Sequence, residues 1–297
     1  MTTQSDLRVA AAPISWGVCE VPGWGRELQA GTVLGEMAEL GIHATELGPP
    51  GYLPREPAEL RALLGTHDLR LIGGFLAIEL HTAQDAALAA AEDSAALFAA
   101  CGAEVLVVAA ATGLDGYDER PALTEDEWRT LFDTAGKIRD IAATHGLRAV
   151  VHPHVGTHVE TEAEVERFLA GSDVDLCLDT GHLLIGGTDP VALARRHPGR
   201  IGHLHLKDVR GELAEAVRGG TMSYTEAVGK GLYSPLGDGD VDIEALVRSV
   251  RQAGYDGWYV LEQDTALGES SPDDGPKKDA SRSLSYLHDI VSRLPIA

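Results

Sequence analysis

Short apolar runs alternate with amphipathic stretches along the whole chain. Leu7–Ile14, Ala44–Leu47, Leu69–Ile78 and Glu104–Ala111 have the length and hydrophobicity of strands covered on both faces. Four more such runs end in polar groups: Ala149–His154, Val174–His182, Ile201–Asp208 and Trp258–Asp264. Helices are expected at Thr32–Leu40, from Pro57-Ala58-Glu59, and at Gln84–Ala100, Glu125–Thr144, Glu162–Leu169, Pro190–Arg196, Ile243–Ala253 and Pro276–Arg293. Eight strand–helix units in 297 residues predict one α/β domain over residues 1–297, a (β/α)8 TIM barrel. An open doubly wound sheet is the runner-up. It lacks its Gly-x-Gly-x-x-Gly turn, because the first strand runs into Pro13-Ile14-Ser15-Trp16-Gly17-Val18. The Gly-rich, polar stretch Val217–Asp240 is expected to be a long loop over the site.

The strand ends carry the candidate chemistry. His152, Asp179, His205 and Glu262 each terminate a different run, where a barrel keeps its active site. Two imidazoles and two carboxylates suit a divalent ion such as Mn²⁺, Co²⁺, Fe²⁺, Zn²⁺ or Mg²⁺. Such an ion can polarise a ketone and stabilise an enediolate. The proton transfers then need a base and an acid. His154 and Lys207 are the candidate bases, and His182 and Glu46 the candidate acids. His154 and His182 equally suit the support of ligands, and Lys207 suits an oxyanion, a substrate hydroxyl, or an ion pair with Asp208 or a nearby carboxylate. Trp16, Glu79 and Asp208 are candidates for binding substrate, with Trp16 as a stacking surface for a ring. Pro22-Gly23-Trp24 is expected to form a loop that closes over the pocket.

Composition narrows the partners. With 46 acidic and 24 basic residues the net charge is −22, which disfavours nucleic acid and anionic membranes. No apolar run reaches the roughly 18 residues of a membrane span. The start, Met-Thr-Thr-Gln-Ser-Asp, has no basic or apolar signal character, so a cytoplasmic location is expected. Three cysteines without close spacing make no disulfide framework; Cys101 and Cys177 read as core residues. Phosphate-loop, nucleophile-elbow and Cys-x-x-Cys motifs are missing.

Several motifs resemble a known family: Pro13-Ile14-Ser15-Trp16-Gly17, Thr45-Glu46-Leu47-Gly48, His152-Pro153-His154-Val155-Gly156-Thr157, Asp179-Thr180-Gly181-His182, His203-Leu204-His205-Leu206-Lys207-Asp208, Gly237-Asp238-Gly239 and Leu261-Glu262-Gln263-Asp264. They are similar to the xylose-isomerase-like barrels and, within these, to the inosose dehydratase group of myo-inositol catabolism. The resemblance runs from about residue 8 to 290. It implies a Mn²⁺ or Co²⁺ site on Asp179, His205 and Glu262, with His152 in the first position, and dehydration of 2-keto-myo-inositol. A histidine in that position, where many epimerases of the superfamily carry glutamate, fits elimination better than a two-glutamate proton shuttle. Pro153 departs from the dehydratase pattern of a third histidine there, which bears on substrate choice. The expected function is a metal-dependent lyase acting on a cyclic keto-polyol. The alternatives are a ketose isomerase or epimerase, and a sugar- or metal-binding protein without turnover. A homodimer or higher homo-oligomer is the expected assembly.

Overall fold

The computed structural model describes residues 7–294 apart from positions 20, 22 and 83. Pro22 of the expected pocket loop and the N-terminal hexapeptide lie outside the described residues. Eight parallel strands close into a barrel: β1 (Val9–Ala11), β2 (Ala44–Glu46), β3 (Arg70–Ile78), β4 (Val105–Ala110), β5 (Arg148–Val151), β6 (Asp175–Asp179), β7 (Ile201–Leu206) and β10 (Tyr259–Leu261). The first and last are neighbours, with Val9 opposite Tyr259 and Ala11 opposite Leu261. A two-stranded antiparallel ribbon, β8 (Asp208–Val209) and β9 (Tyr233–Ser234), lies beyond β7.

The helices are α1 (Ala30–Glu39), α2 (Pro57–Gly65), α3 (Gln84–Ala100), α4 (Glu125–Thr144), α5 (Glu162–Gly171), α6 (Thr180–Ile185), α7 (Pro190–Arg196), α8 (Gly211–Arg218), α9 (Tyr224–Gly229), α10 (Ile243–Gln252) and α11 (Gly275–Arg293). Their starts are written in the chain. Reciprocal capping boxes open α4 (Thr124 with Glu127) and α5 (Thr161 with Glu164). Asp189 and Asp242 cap α7 and α10. Inside the barrel, Val105, Val107, Val150 and Cys177 fill a layer against Phe75. One large apolar cluster joins strands to helices outside. The guanidinium groups of Arg8 and Arg70 lie 4.2 and 4.6 Å from the Trp258 ring centre, and Arg8 also pairs with Glu104. Among the described residues, no helix is long and apolar enough to cross a membrane.

Two expectations change. The first strand is three residues long, because Pro13 starts a 3-10 turn, Pro13–Trp16, where a longer strand was expected. The stretch 217–240 is not one open loop: it carries the short helix α9 and the ribbon strand β9 between turns. Ser223 caps α9 through the Glu226 N–H, and Tyr224, Ala227 and Val228 are buried at helical spacing. The glycines that suggest an open loop instead serve turns: Gly220, Gly231 and Gly237 all have positive φ.

Candidate metal centre and active site

Four polar side chains converge at the carboxyl ends of β5, β6, β7 and β10. Nε2 of His152 lies 3.2 Å from Nδ1 of His205 and 3.4 Å from Oδ2 of Asp179. Nδ1 of His205 lies 3.7 Å from the same Asp179 oxygen and 2.6 Å from Oε2 of Glu262. The other Asp179 oxygen caps α6, accepting from Gly181 and His182 N–H at 2.8 Å each. One carboxylate thus does both jobs its position allows: Oδ1 fixes the helix and Oδ2 faces the cluster.

Oδ2 of Asp179 and Oε2 of Glu262 are buried without a hydrogen bond; Glu262 Oε2 is near His205 Nδ1 but not aligned with it. Orphaned buried carboxylate oxygens are costly unless a cation completes them. The donor spacings, mostly above 3 Å, match those around a first-row divalent ion with ligands at about 2.1 Å. The donor set therefore fits such an ion. Burial raises both carboxyl pKa values, but nearby cationic groups outweigh it. Lys207 holds Asp179 well below the usual range, and His205 with Lys207 holds Glu262 at about 2.

Lys207, 1% exposed, sits beneath this cluster. Its Nζ contacts Asp264 Oδ1, lies 2.9 Å from Glu262 Oε1 and 3.7 Å from Asp179 Oδ2, and faces the Tyr233 ring. Burial disfavours its charge, yet the three carboxylates keep the ammonium protonated well above its ordinary pKa. Oδ2 of Asp264 accepts from Tyr224 Oη at 2.6 Å, and Tyr224 shares a 3.0 Å hydrogen bond with Tyr233.

His154 lies on the cavity wall and is stacked on His182 at 3.7 Å between ring centres. Its Nδ1 is 2.7 Å from the Val155 carbonyl, which can only accept, so the proton sits on Nδ1 and Nε2 keeps its lone pair. Burial, with His152 and Lys207 nearby, lowers its pKa to about 3. His182 is buried behind it, with Nδ1 3.4 Å from the Val155 N–H and Nε2 3.3 Å from Lys207 Nζ. Glu46, ending β2, accepts at Oε1 from His203 Nε2 at 2.9 Å and from His205 Nε2 at 3.0 Å.

The cavity is walled by Trp24, Phe75, Tyr117 and Tyr224. Among the described residues, Lys207 is the one Lys or Arg lining it.

Three expected substrate contacts lie elsewhere. Trp16 is fully buried in the core, with Nε1 donating to Glu36 at 2.8 Å; it ends the 3-10 turn that opens at Pro13 and does not line the cavity. Glu79 is exposed beyond β3, where it accepts from Thr82. Asp208 accepts four backbone N–H groups, from Val209, Gly237, Gly239 and Val241, and so pins the chain after β9. Of the two ion pairs open to Lys207, the one with nearby carboxylates forms, with Asp264, Glu262 and Asp179, and not the one with Asp208. Asp264, Tyr224 and Tyr233 were missed. Asp264 had a legible signal, since it lies two residues after Glu262 in the last strand-end motif.

The fold is an α/β barrel with a donor cluster suited to a cation at its mouth, and comparison names its class: residues 34–289 match the model of the xylose isomerase-like TIM barrel, and the chain belongs to that family. Within it, the chain is 33% identical over 286 residues to the inosose dehydratase of Geobacillus thermodenitrificans (strain NG80-2), covering 90% of this chain and 93% of that one. It is 34% identical over 277 residues to the rhizopine catabolism protein MocC of Rhizobium meliloti, covering 90% and 84%. The crystal structure of the IOLI protein with a binding zinc atom superposes with a TM-score of 0.68 at 14% identity, covering 97% and 99%, and shares the fold.

Proposed function

We propose that the protein is an inosose dehydratase, a hydro-lyase that removes water from a cyclic keto-polyol of the 2-keto-myo-inositol type. The observation that carries this reading is a neutral His154 with a free Nε2 on the cavity wall, beside a four-donor cluster with two orphaned carboxylate oxygens. The inosose dehydratases among its relatives support it.

His152, Asp179, His205 and Glu262 would hold a divalent cation, Mn²⁺ or Co²⁺ by preference. The bound ion supplies Lewis acidity that makes the carbon next to a ketone easier to deprotonate. His154 takes that α-proton at Nε2. The Lys207 ammonium, fixed by Asp264 and Glu262, faces negative charge growing on the ketone oxygen. Charge then returns to form the C=C bond as the β-C–O bond breaks. The departing hydroxyl takes the proton from His154 Nε2 and leaves as water, and the enol product becomes the dione. His154 thus serves as both base and acid. Glu46 is committed to two imidazoles, and His182 supports His154 from behind. The aromatic wall suits the apolar face of a ring, and the scarcity of basic side chains suits an uncharged substrate. The cytoplasm is the compartment that fits this chemistry, and a homodimer is the assembly to test by light scattering.

The test is mass spectrometry of products from metal-stripped protein given 2-keto-myo-inositol, with and without Mn²⁺. Loss of one water only with metal is expected. An unchanged mass with altered stereochemistry would replace the lyase by an epimerase.

A further inference from the structure

Glu46 stands on the far side of His205 from the four-donor cluster. Its place there is built into the sheet. The register between β2 and β3 shifts between Thr45 and Glu46, so that Glu46 pairs with Gly73. Gly73 leaves no room for a side chain, because a Cβ would lie 2.3 Å from the Val105 carbonyl oxygen. The result is a carboxylate 3% exposed inside the barrel, with Oε1 shared by two imidazole N–H groups.

The two imidazoles are used differently. His205 turns Nε2 to Glu46 and Nδ1 to Asp179 and Glu262. His203, 1% exposed, turns Nε2 to Glu46, while its Nδ1 is buried without a partner. Glu46 is therefore the sole hydrogen-bond partner of the His203 ring among the described residues. His203 is a second donor that satisfies the buried carboxylate. Burial alone would raise the Glu46 pKa, but His205 and His203 hold it well below the usual carboxylate range.

We propose that Glu46 is a positioning residue that makes Nδ1 of His205 a metal ligand, with His203 as the brace that holds Glu46 in line. An imidazole whose outer N–H is held by a carboxylate is fixed in tautomer and ring angle and is a more basic ligand. The donor cluster itself contains two carboxylates and two imidazoles. Glu46 adds a third negative charge to the centre through His205 without occupying a coordination position. The inference rests on reading the four-donor cluster as a cation site.

The test is Co²⁺ titration of the full-length protein, followed by visible absorption and competition with a chelator. It compares wild type with Glu46→Ala, Glu46→Gln and His203→Gln, and melting temperatures are measured without metal. Glu46→Ala should weaken Co²⁺ binding by about 10- to 100-fold and alter the d–d bands, as expected for loss of a ligand's outer partner. Glu46→Gln keeps an acceptor but loses the charge, and should weaken binding at least threefold, less than alanine does. His203→Gln should fall near Glu46→Gln. A purely structural role would lower the metal-free melting temperature and leave Co²⁺ affinity and spectrum unchanged. A proton-donating role at the substrate would lower kcat with wild-type affinity. Either result overturns the proposal. If the alanine variant does not fold, Glu46→Gln binding Co²⁺ within twofold of wild type overturns it as well. Failure of wild type to bind Co²⁺ would overturn the cation reading too, and so is distinguishable from failure of the Glu46 inference alone.

Discussion

Replacing Lys207 by methionine keeps much of the side-chain volume and removes one charge. The ammonium lies 2.9 Å from Glu262 and 3.7 Å from Asp179, and contacts Asp264 directly. At an effective dielectric near 20, each such pair has a gross attraction of about 4–6 kcal/mol, opposed by several kcal/mol of desolvation per ion. The net cost of removing one partner from a buried ionic cluster is about 3–5 kcal/mol, because the remaining charges lose their compensation. A chain of 297 residues has an unfolding entropy near 0.6 kcal/mol/K, so the melting temperature of the metal-free protein should fall by about 5–8 °C. Differential scanning calorimetry at neutral pH measures this directly. The double variant with Asp264→Asn should recover part of the loss, since it removes one stranded carboxylate; a double-mutant cycle gives the coupling. A fall below about 2 °C, or no coupling to Asp264, would refute the view that this ammonium balances the carboxylates.

Four further outcomes follow from the same geometry. Mn²⁺ at about a thousand times its dissociation constant should stabilise the fold by about 4 kcal/mol, or raise the melting temperature by roughly 6 °C, reversibly with chelator; no shift would count against the cluster as a cation site. The Glu262 carboxyl has its pKa depressed to about 2 from an ordinary 4.5, so its contribution is complete above pH 4.5 and is lost as pH falls towards 2; urea midpoints of the metal-free protein across that window should decline. Glu79→Gln should leave kcat/KM within twofold, whereas Asp208→Ala strands four backbone N–H groups and should cost about 2–5 kcal/mol; a tenfold rise in KM for Glu79→Gln would restore it as a substrate contact.

The barrel and its donor cluster were legible because both follow short-range rules. Strand runs recur at regular spacing, and in a closed parallel sheet every strand end points to the same mouth, so His152, Asp179, His205 and Glu262 could be grouped without a structure. Trp16 could not be placed that way. Its direction depends on the turn after Pro13, and its indole N–H is satisfied by Glu36 on α1, twenty residues later. Asp208 reads as a substrate contact because most of the amides it holds, from Gly237 to Val241, are about thirty residues downstream. Tyr224 and Tyr233 were hidden in a stretch whose glycines and polar residues read as loop, although helical spacing of Tyr224, Ala227 and Val228 was present. Glu46 is legible at a strand end, but its partners belong to β7, some 160 positions away.

The pairing of the first strand with the last has a consequence in time. About 250 residues separate Val9 from its partner Tyr259. At 5–20 residues per second a ribosome takes roughly 12 to 50 s to make that stretch. Throughout that interval β1 lacks its β10 partner, and β7 joins it as a second unpaired edge once it is made, which invites association with other chains. Glu262 follows directly on the closing strand, so the fourth donor arrives with the segment that seals the wall. A cation needing all four donors would be retained only by finished polypeptides, and prematurely terminated ones would lack both the seal and the stabilisation it brings. Metal occupancy would then mark the moment at which a newly made molecule stops being vulnerable to aggregation.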